Sequence, residues 1–245
     1  MYVFGLSDFG LSDTMVFGII NYAYAIAAAL TTVSVIAVLS RYIRRRQGLA
    51  LFFVFFLVAC VAISLTYALR GFYEINTEPE LLLWTLSNYL YIVITVPLAL
   101  FLIYPLFRQT KGQRSNYILW ATVVVIGLIV VFNASMIAIS QIEWTFTDNF
   151  GLNHYRLVYP LIPNIYIITL GLDVMVSNVS LVLLAISYRK ESDLFYKRRA
   201  LLLFVGWTIV TYGQLLLLGP SLAILNPFAI VIGAILVSTA VYVGA

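Results

Sequence analysis

The chain has 245 residues, 63% of them apolar and only 10% charged, with a mean hydropathy of +1.02. Soluble domains carry about 25% charged residues, so a soluble globular domain is excluded and a membrane protein is expected. The net charge of +4 comes with one cysteine, Cys60, and one histidine, His154, which excludes a disulfide framework and any haem or zinc site needing several such ligands.

Seven continuous apolar runs follow in order: Thr14–Ser40, Gly48–Leu69, Leu81–Phe107, Asn116–Ser140, Ile162–Tyr188, Ala200–Leu218 and Pro227–Ala245. Each is close to the roughly 20 residues a helix needs to cross a bilayer. Membrane barrel strands alternate apolar and polar over about 10 residues, a pattern absent here. The expectation is an all-α membrane protein, a single seven-transmembrane helix bundle spanning residues 1–245. The amino end, MYVFGLSDFGLSDTM, has no basic region of the kind a cleaved signal peptide carries.

The first run carries Ala25 and Ala29 four residues apart, with Asn21, Tyr24 and Thr31 or Thr32 near the same side. Small residues at this spacing favour close helix contact in lipid. Cys60 lies within the second run. The third run, LLLWTLSNYLYIVITVPLALFLIYPLF, holds Pro97 inside it. That residue has no N–H for the carbonyl of Val93, so a bend or hinge is expected there, opening space beside Asn88, Tyr91 and Thr95. Asn133 gives the fourth run an amide.

Between the fourth and fifth runs lies a long connection, QIEWTFTDNFGLNHYRLVYPLIP, rich in aromatic residues. Connections beyond about 12–15 residues are uncommon without a role, and the aromatic content argues against disorder. A short hairpin, or a lid over the mouth of the bundle, is expected.

The fifth run organises the rest, because it places Asp173 near its midpoint. A carboxyl group there costs about 2.5–3.5 kcal/mol on insertion scales, so it should face protein or trapped water. Thr169, Asp173, Ser177 and Ser180 fall on one helical stripe. In the sixth run Thr208, Thr211 and Tyr212 are adjoining hydroxyls, and in the seventh Ala229 and Gly233 repeat the small-residue spacing. The candidate ligand-binding seam is therefore Asp173, Ser177, Thr169, Asn88, Tyr91, Thr95, Tyr212 and Thr208, with Pro97 as its hinge. Asp173 would bind a cationic or hydroxylated group or sense pH; the plainer reading is a neutral acid satisfied by neighbouring hydroxyls.

Twelve of the fourteen basic residues fall in three alternate connections, at Arg41–Arg46, Arg108–Arg114 and Arg189–Arg199, whereas the opposite connections hold Glu74, Glu78, Glu80, Glu143 and Asp148. Lys and Arg stay cytoplasmic, so the amino end is expected outside and the carboxyl end inside a multi-pass plasma-membrane protein. The basic loops then serve as topology signals on anionic lipid, with a lesser prospect of docking a cytoplasmic partner at Glu191–Arg199. Nucleic acid is not expected.

Neither a GxSxG elbow, an HExxH pair nor paired carboxylates inside the apolar runs occurs, so an enzyme is not expected, nor any cofactor or metal. TVPLAL in the third run and LVSTAVYVG in the seventh resemble the chromophore-binding stretches of microbial rhodopsins. Every lysine (Lys111, Lys190, Lys197) lies in a connection, however, and the position near Ala240 is apolar, which excludes a retinal Schiff base.

RRRQGLALFF, YALRGFYE, LLLWTLSNYLYIVITVPLAL, YKRRALLLFVG and LNPFAIVIGAILV are similar, in spacing and texture, to the N-terminal seven-helix sensor region of prokaryotic histidine kinases and diguanylate cyclases. The resemblance implies a receptor-like module passing an external or in-membrane stimulus to a cytoplasmic signalling domain or partner, with a homodimer compatible. That family continues into a cytoplasmic output domain, so the chain is expected to be part of something longer. The other expectations are a small-solute or proton-coupled transporter and a non-catalytic subunit of a membrane complex.

Overall fold

A computed structural model of the chain describes residues 18–45, 48–109, 113–160, 165–219 and 221–243. Among the described residues seven α-helices appear in the order the apolar runs predict: α1 Ile19–Arg45, α2 Gly48–Arg70, α3 Glu78–Gln109, α4 Gln113–Ile139, α5 Ile165–Lys190, α6 Leu194–Gly213 and α7 Asn226–Val243. A helix satisfies its own backbone groups, which is what an apolar run must do where water is absent. Among the described residues, five helices are long and apolar enough to cross a membrane, and Val123–Ile139 in α4 is a shorter apolar one. The stretches 14–17, 162–164 and 244–245 of the expected runs lie outside the described residues.

The boundaries move for identifiable reasons. α1 runs on through Arg41 and Arg44, and the buried Arg41 ties its end to α7 by donating to the Tyr242 carbonyl at 2.7 Å. α6 starts six residues earlier than its apolar run, at Leu194, where Asp193 accepts a hydrogen bond from Phe195 N at 2.8 Å and caps the helix. It also stops sooner: Gln214–Leu218 is a 3-10 segment rather than the end of an α-helix.

Neighbouring helices close a ring. α1 packs on α2 and α7, α2 on α3, α3 on α4 and α5, α5 on α6, and α6 on α7. The tightest approach is between α6 and α7. A Cβ placed on Gly233 would lie 2.3 Å from Val210 Cγ2, and one on Gly213 would lie 2.7 Å from Ala229 Cβ. The small-residue expectation thus holds for Ala229 and Gly233, but it misplaces α1. Ala25 and Ala29 are exposed, and the buried stripe is Ile20, Asn21, Tyr24, Ala27, Ala28 and Thr31. Tyr24 sets the rotation of α1: it stacks on Tyr67 of α2 and donates to Asn226 of α7 at 2.7 Å.

The long connection folds as an antiparallel β-hairpin, β1 Gln141–Thr147 and β2 Asn153–Val158. Asp148 shapes its turn by accepting from the backbone N–H groups of Phe150 and Leu152, both at 2.9 Å. Gly151 sits there at φ 87°, in the left-handed region that a side chain resists. Its Cβ position is also blocked by Gly18, 2.8 Å away, so the turn seats against the start of α1.

Candidate functional site

The stripe on α5 faces inward as expected. Thr169, Asp173, Ser177 and Ser180 are all buried. Asn133 of α4 donates to Asp173 Oδ1 at 2.7 Å and to the Thr169 carbonyl at 3.0 Å. Among the described residues this is the hydrogen bond that holds the carboxyl group, whereas the Ser177 and Ser180 hydroxyls have no hydrogen-bond partner.

A cavity of about 20 Å³ lies beside the acid, lined by Asn88 and Tyr91 of α3, Thr169 and Asp173 of α5, and Gln214 and Leu217 of the 3-10 segment among others. That is room for about one water molecule. Four residues of the predicted seam meet here: Asn88, Tyr91, Thr169 and Asp173. Asn88 also donates back to the carbonyl of Trp84, at 2.8 Å.

The remaining candidates go elsewhere. Thr208 turns its hydroxyl back to the Phe204 carbonyl, at 2.8 Å. Tyr212 is 40% exposed and donates to Asn178, at 2.6 Å, on the outer side of α5 and α6. Ser177 is one turn along α5 from Asp173, outside the cavity lining. The helix runs unbroken through Pro97, and the side chains of Pro97 and Thr95 lie outside the described residues.

A second polar cluster sits where the hairpin meets α2 and α3. Arg70, the last residue of α2, and Glu80, in the first turn of α3, are both buried. Arg70 donates through Nε and Nη2 to Glu80 Oε1 at 3.0 and 2.9 Å, and through Nη2 to the Asn153 carbonyl of β2 at 2.6 Å. Tyr155 of β2 donates its hydroxyl to Glu80 Oε2 and accepts from Asn76 N at 3.2 Å. The guanidinium lies over the rings of Tyr67 and Tyr155, at 5.3 and 5.6 Å. Tyr155 also packs at 5.7 Å from the Trp84 ring. Burial, and then the bond to the Glu80 carboxylate, raise the Tyr155 phenol above its ordinary value of 10.0, so it stays protonated.

Sequence reasoning passed over this cluster, and it gave Gln214 no attention. The available signal was Arg70 itself, a basic residue in an otherwise acidic connection and ten positions from an acid. Between the hairpin and the helices lies a larger cleft of about 250 Å³, lined by Tyr67, Arg70, Trp84, Phe146, His154 and Tyr155 among others. Leu217 lines both the cleft and the small cavity beside Asp173.

Among the described residues no group of three His, Cys, Asp or Glu side chains comes together in a way that would hold a metal ion. Comparison with family models, with curated proteins and with solved structures finds no match to this chain.

Proposed function

We propose that the chain is a receptor-like sensor module of the plasma membrane, with its amino end and hairpin outside and its basic connections in the cytoplasm. The observation that carries this reading is the link between hairpin and bundle. Asn153 and Tyr155 of β2 hold the buried Arg70–Glu80 pair, which ends α2 and begins α3. α3 in turn supplies Asn88 and Tyr91 to the wall opposite Asp173. A shift of the hairpin therefore pulls on the helices that bound the acid, and α5 carries the change to the basic end. There Lys197 of α6 sits 5.0 Å from the Tyr188 ring of α5.

The charge distribution supports the orientation, since twelve of the fourteen basic residues lie at connections opposite the hairpin. A stimulus acts on such a device only through its differential affinity for two packings of the bundle. The cavity beside Asp173 is too small for an organic ligand, so the acid serves as the internal hydrogen-bonding pivot and the stimulus is received at the hairpin. The output passes to a cytoplasmic domain or partner, as in the histidine-kinase and diguanylate-cyclase sensor regions that the sequence resembles.

Hydrogen exchange of the chain in lipid nanodiscs tests this. Asp173→Asn and Tyr155→Phe should each change protection in the 189–199 connection by at least threefold. Unchanged protection in both variants would sink the coupling. Proton flux in liposomes that disappears in Asp173→Asn would replace the sensor with a proton-coupled transporter.

A further inference from the structure

The cleft beneath the hairpin has the chemistry of a binding site. Its basic group is fixed: Arg70 is 3% exposed, and its Nε and Nη2 are committed to Glu80 and the Asn153 carbonyl. Nη1 has no partner among the described residues, so its two N–H donors are what Arg70 offers to the cleft it lines. Glu80 is spoken for, with Oε1 on Arg70 and Oε2 on Tyr155. Among the described residues no carboxylate lines the cleft; Glu80, Glu143 and Asp148 contact Arg70, Arg156 and His154, which do. The wall thus presents the positive ends of two ion pairs, Arg70 and Arg156, and the His154 ring.

The rest of the lining joins four aromatic residues, Tyr67, Trp84, Phe146 and Tyr155, to four aliphatic ones, with Thr145 and Asn153. Phe146 is held by stacking on His154, with ring centroids 4.6 Å apart. Small-molecule sites combine an apolar, aromatic lining with a few placed polar groups over about 300–1,000 Å³. At about 250 Å³ this cleft fits a ligand of one ring rather than several.

We propose that the cleft binds a small aromatic carboxylate, with its anionic end on Arg70 Nη1 and its ring against Trp84 and Phe146. Arginine donors and carboxylates make strong charge-assisted hydrogen bonds, and planar rings pack at an offset or edge on aromatic side chains. The proposal names the stimulus class for the sensor reading, but the binding itself does not depend on signalling.

Titration calorimetry on the purified chain in lipid nanodiscs tests the assignment, with benzoate, benzamide and acetate as probes. Benzoate should bind at least tenfold more tightly than either benzamide, which lacks the charge, or acetate, which lacks the ring. The double change Arg70→Met and Glu80→Met removes the pair without leaving a lone buried charge, and should abolish the preference for benzoate over benzamide. Phe146→Ala, at the rim of the hairpin, leaves the ion pair in place and should weaken benzoate at least fivefold with acetate unchanged. This second variant decides the matter if the double variant fails to fold. Absence of benzoate binding, equal binding of benzamide or acetate, or indifference to Phe146→Ala would each overturn the proposal. If benzoate binds and the 189–199 connection still does not respond to it, the site stands and the sensor reading fails.

Discussion

Arg70 shows how much depends on one buried charge. Its guanidinium is held by Glu80 and the Asn153 carbonyl and lies over two tyrosine rings, with Nη1 left to the cleft. Removing one partner of such a pair leaves the other charged and buried, at a cost of about 3–5 kcal/mol. Glu80→Ala should therefore lower the melting temperature of the chain in nanodiscs far more than the double change Arg70→Met and Glu80→Met, in which no charge is stranded. Equal losses in the two would show that the pair carries no coupling. Tyr155 makes a separate prediction in pH. Its folded-state phenol is raised above 10.0, so its contribution is complete below pH 10 and is lost as pH rises further. Hairpin protection in hydrogen exchange should fall with increasing pH above about 10, and Tyr155→Phe should remove that dependence. Asp173 was legible as an inward-facing acid because its cost in lipid leaves it little choice. Its partner Asn133 was visible as an amide but not as a neighbour, since nothing in a sequence says which helices touch.

At the scale of elements, the α6–α7 contact is set by what Gly233 lacks. An added Cβ would meet Val210 Cγ2 at 2.3 Å and the Gly206 carbonyl at 2.8 Å. Overpacking of this kind costs about 1–3 kcal/mol, so Gly233→Ala should destabilise the chain, while Gly171→Ala, with nothing near its Cβ position, should not. Thermal unfolding in nanodiscs compares the two; matched losses would mean that the contact is loose. The same small-residue spacing misled for α1, where Ala25 and Ala29 face outward. Spacing identifies stripes but not which stripe is buried, and Tyr24 decided that through its bonds to α2 and α7. The 3-10 segment Gln214–Leu218 was hidden for a related reason, since five apolar and amide residues read equally well as α-helix. Its consequence is local: it carries Gln214 and Leu217 into the wall beside Asp173.

For the whole molecule, the proposed orientation puts the hairpin outside and the Glu191–Arg199 connection inside. Cys60 is buried, so background labelling is low and single engineered cysteines can report each side. In intact cells Asn149→Cys should react with an impermeant maleimide and Ser192→Cys only after the membrane is opened. The reverse pattern would invert the account. Both positions are exposed and neither pairs strands nor crosses the apolar bundle.

Composition and run length by themselves determined a helical membrane chain, seven helices in order, a folded connection between the fourth and fifth and an acid turned inward. Each of these follows from the free energy of moving residues between water and lipid, which depends on residue type and local spacing. Tertiary structure alone decided that Asn133 holds Asp173, that Thr208 and Tyr212 stand apart from it, and that Arg70, Glu80 and Tyr155 meet beneath the hairpin. Those are contacts between residues up to 85 positions apart, and they depend on helix rotation and packing, which the transfer energy of each helix taken alone does not set.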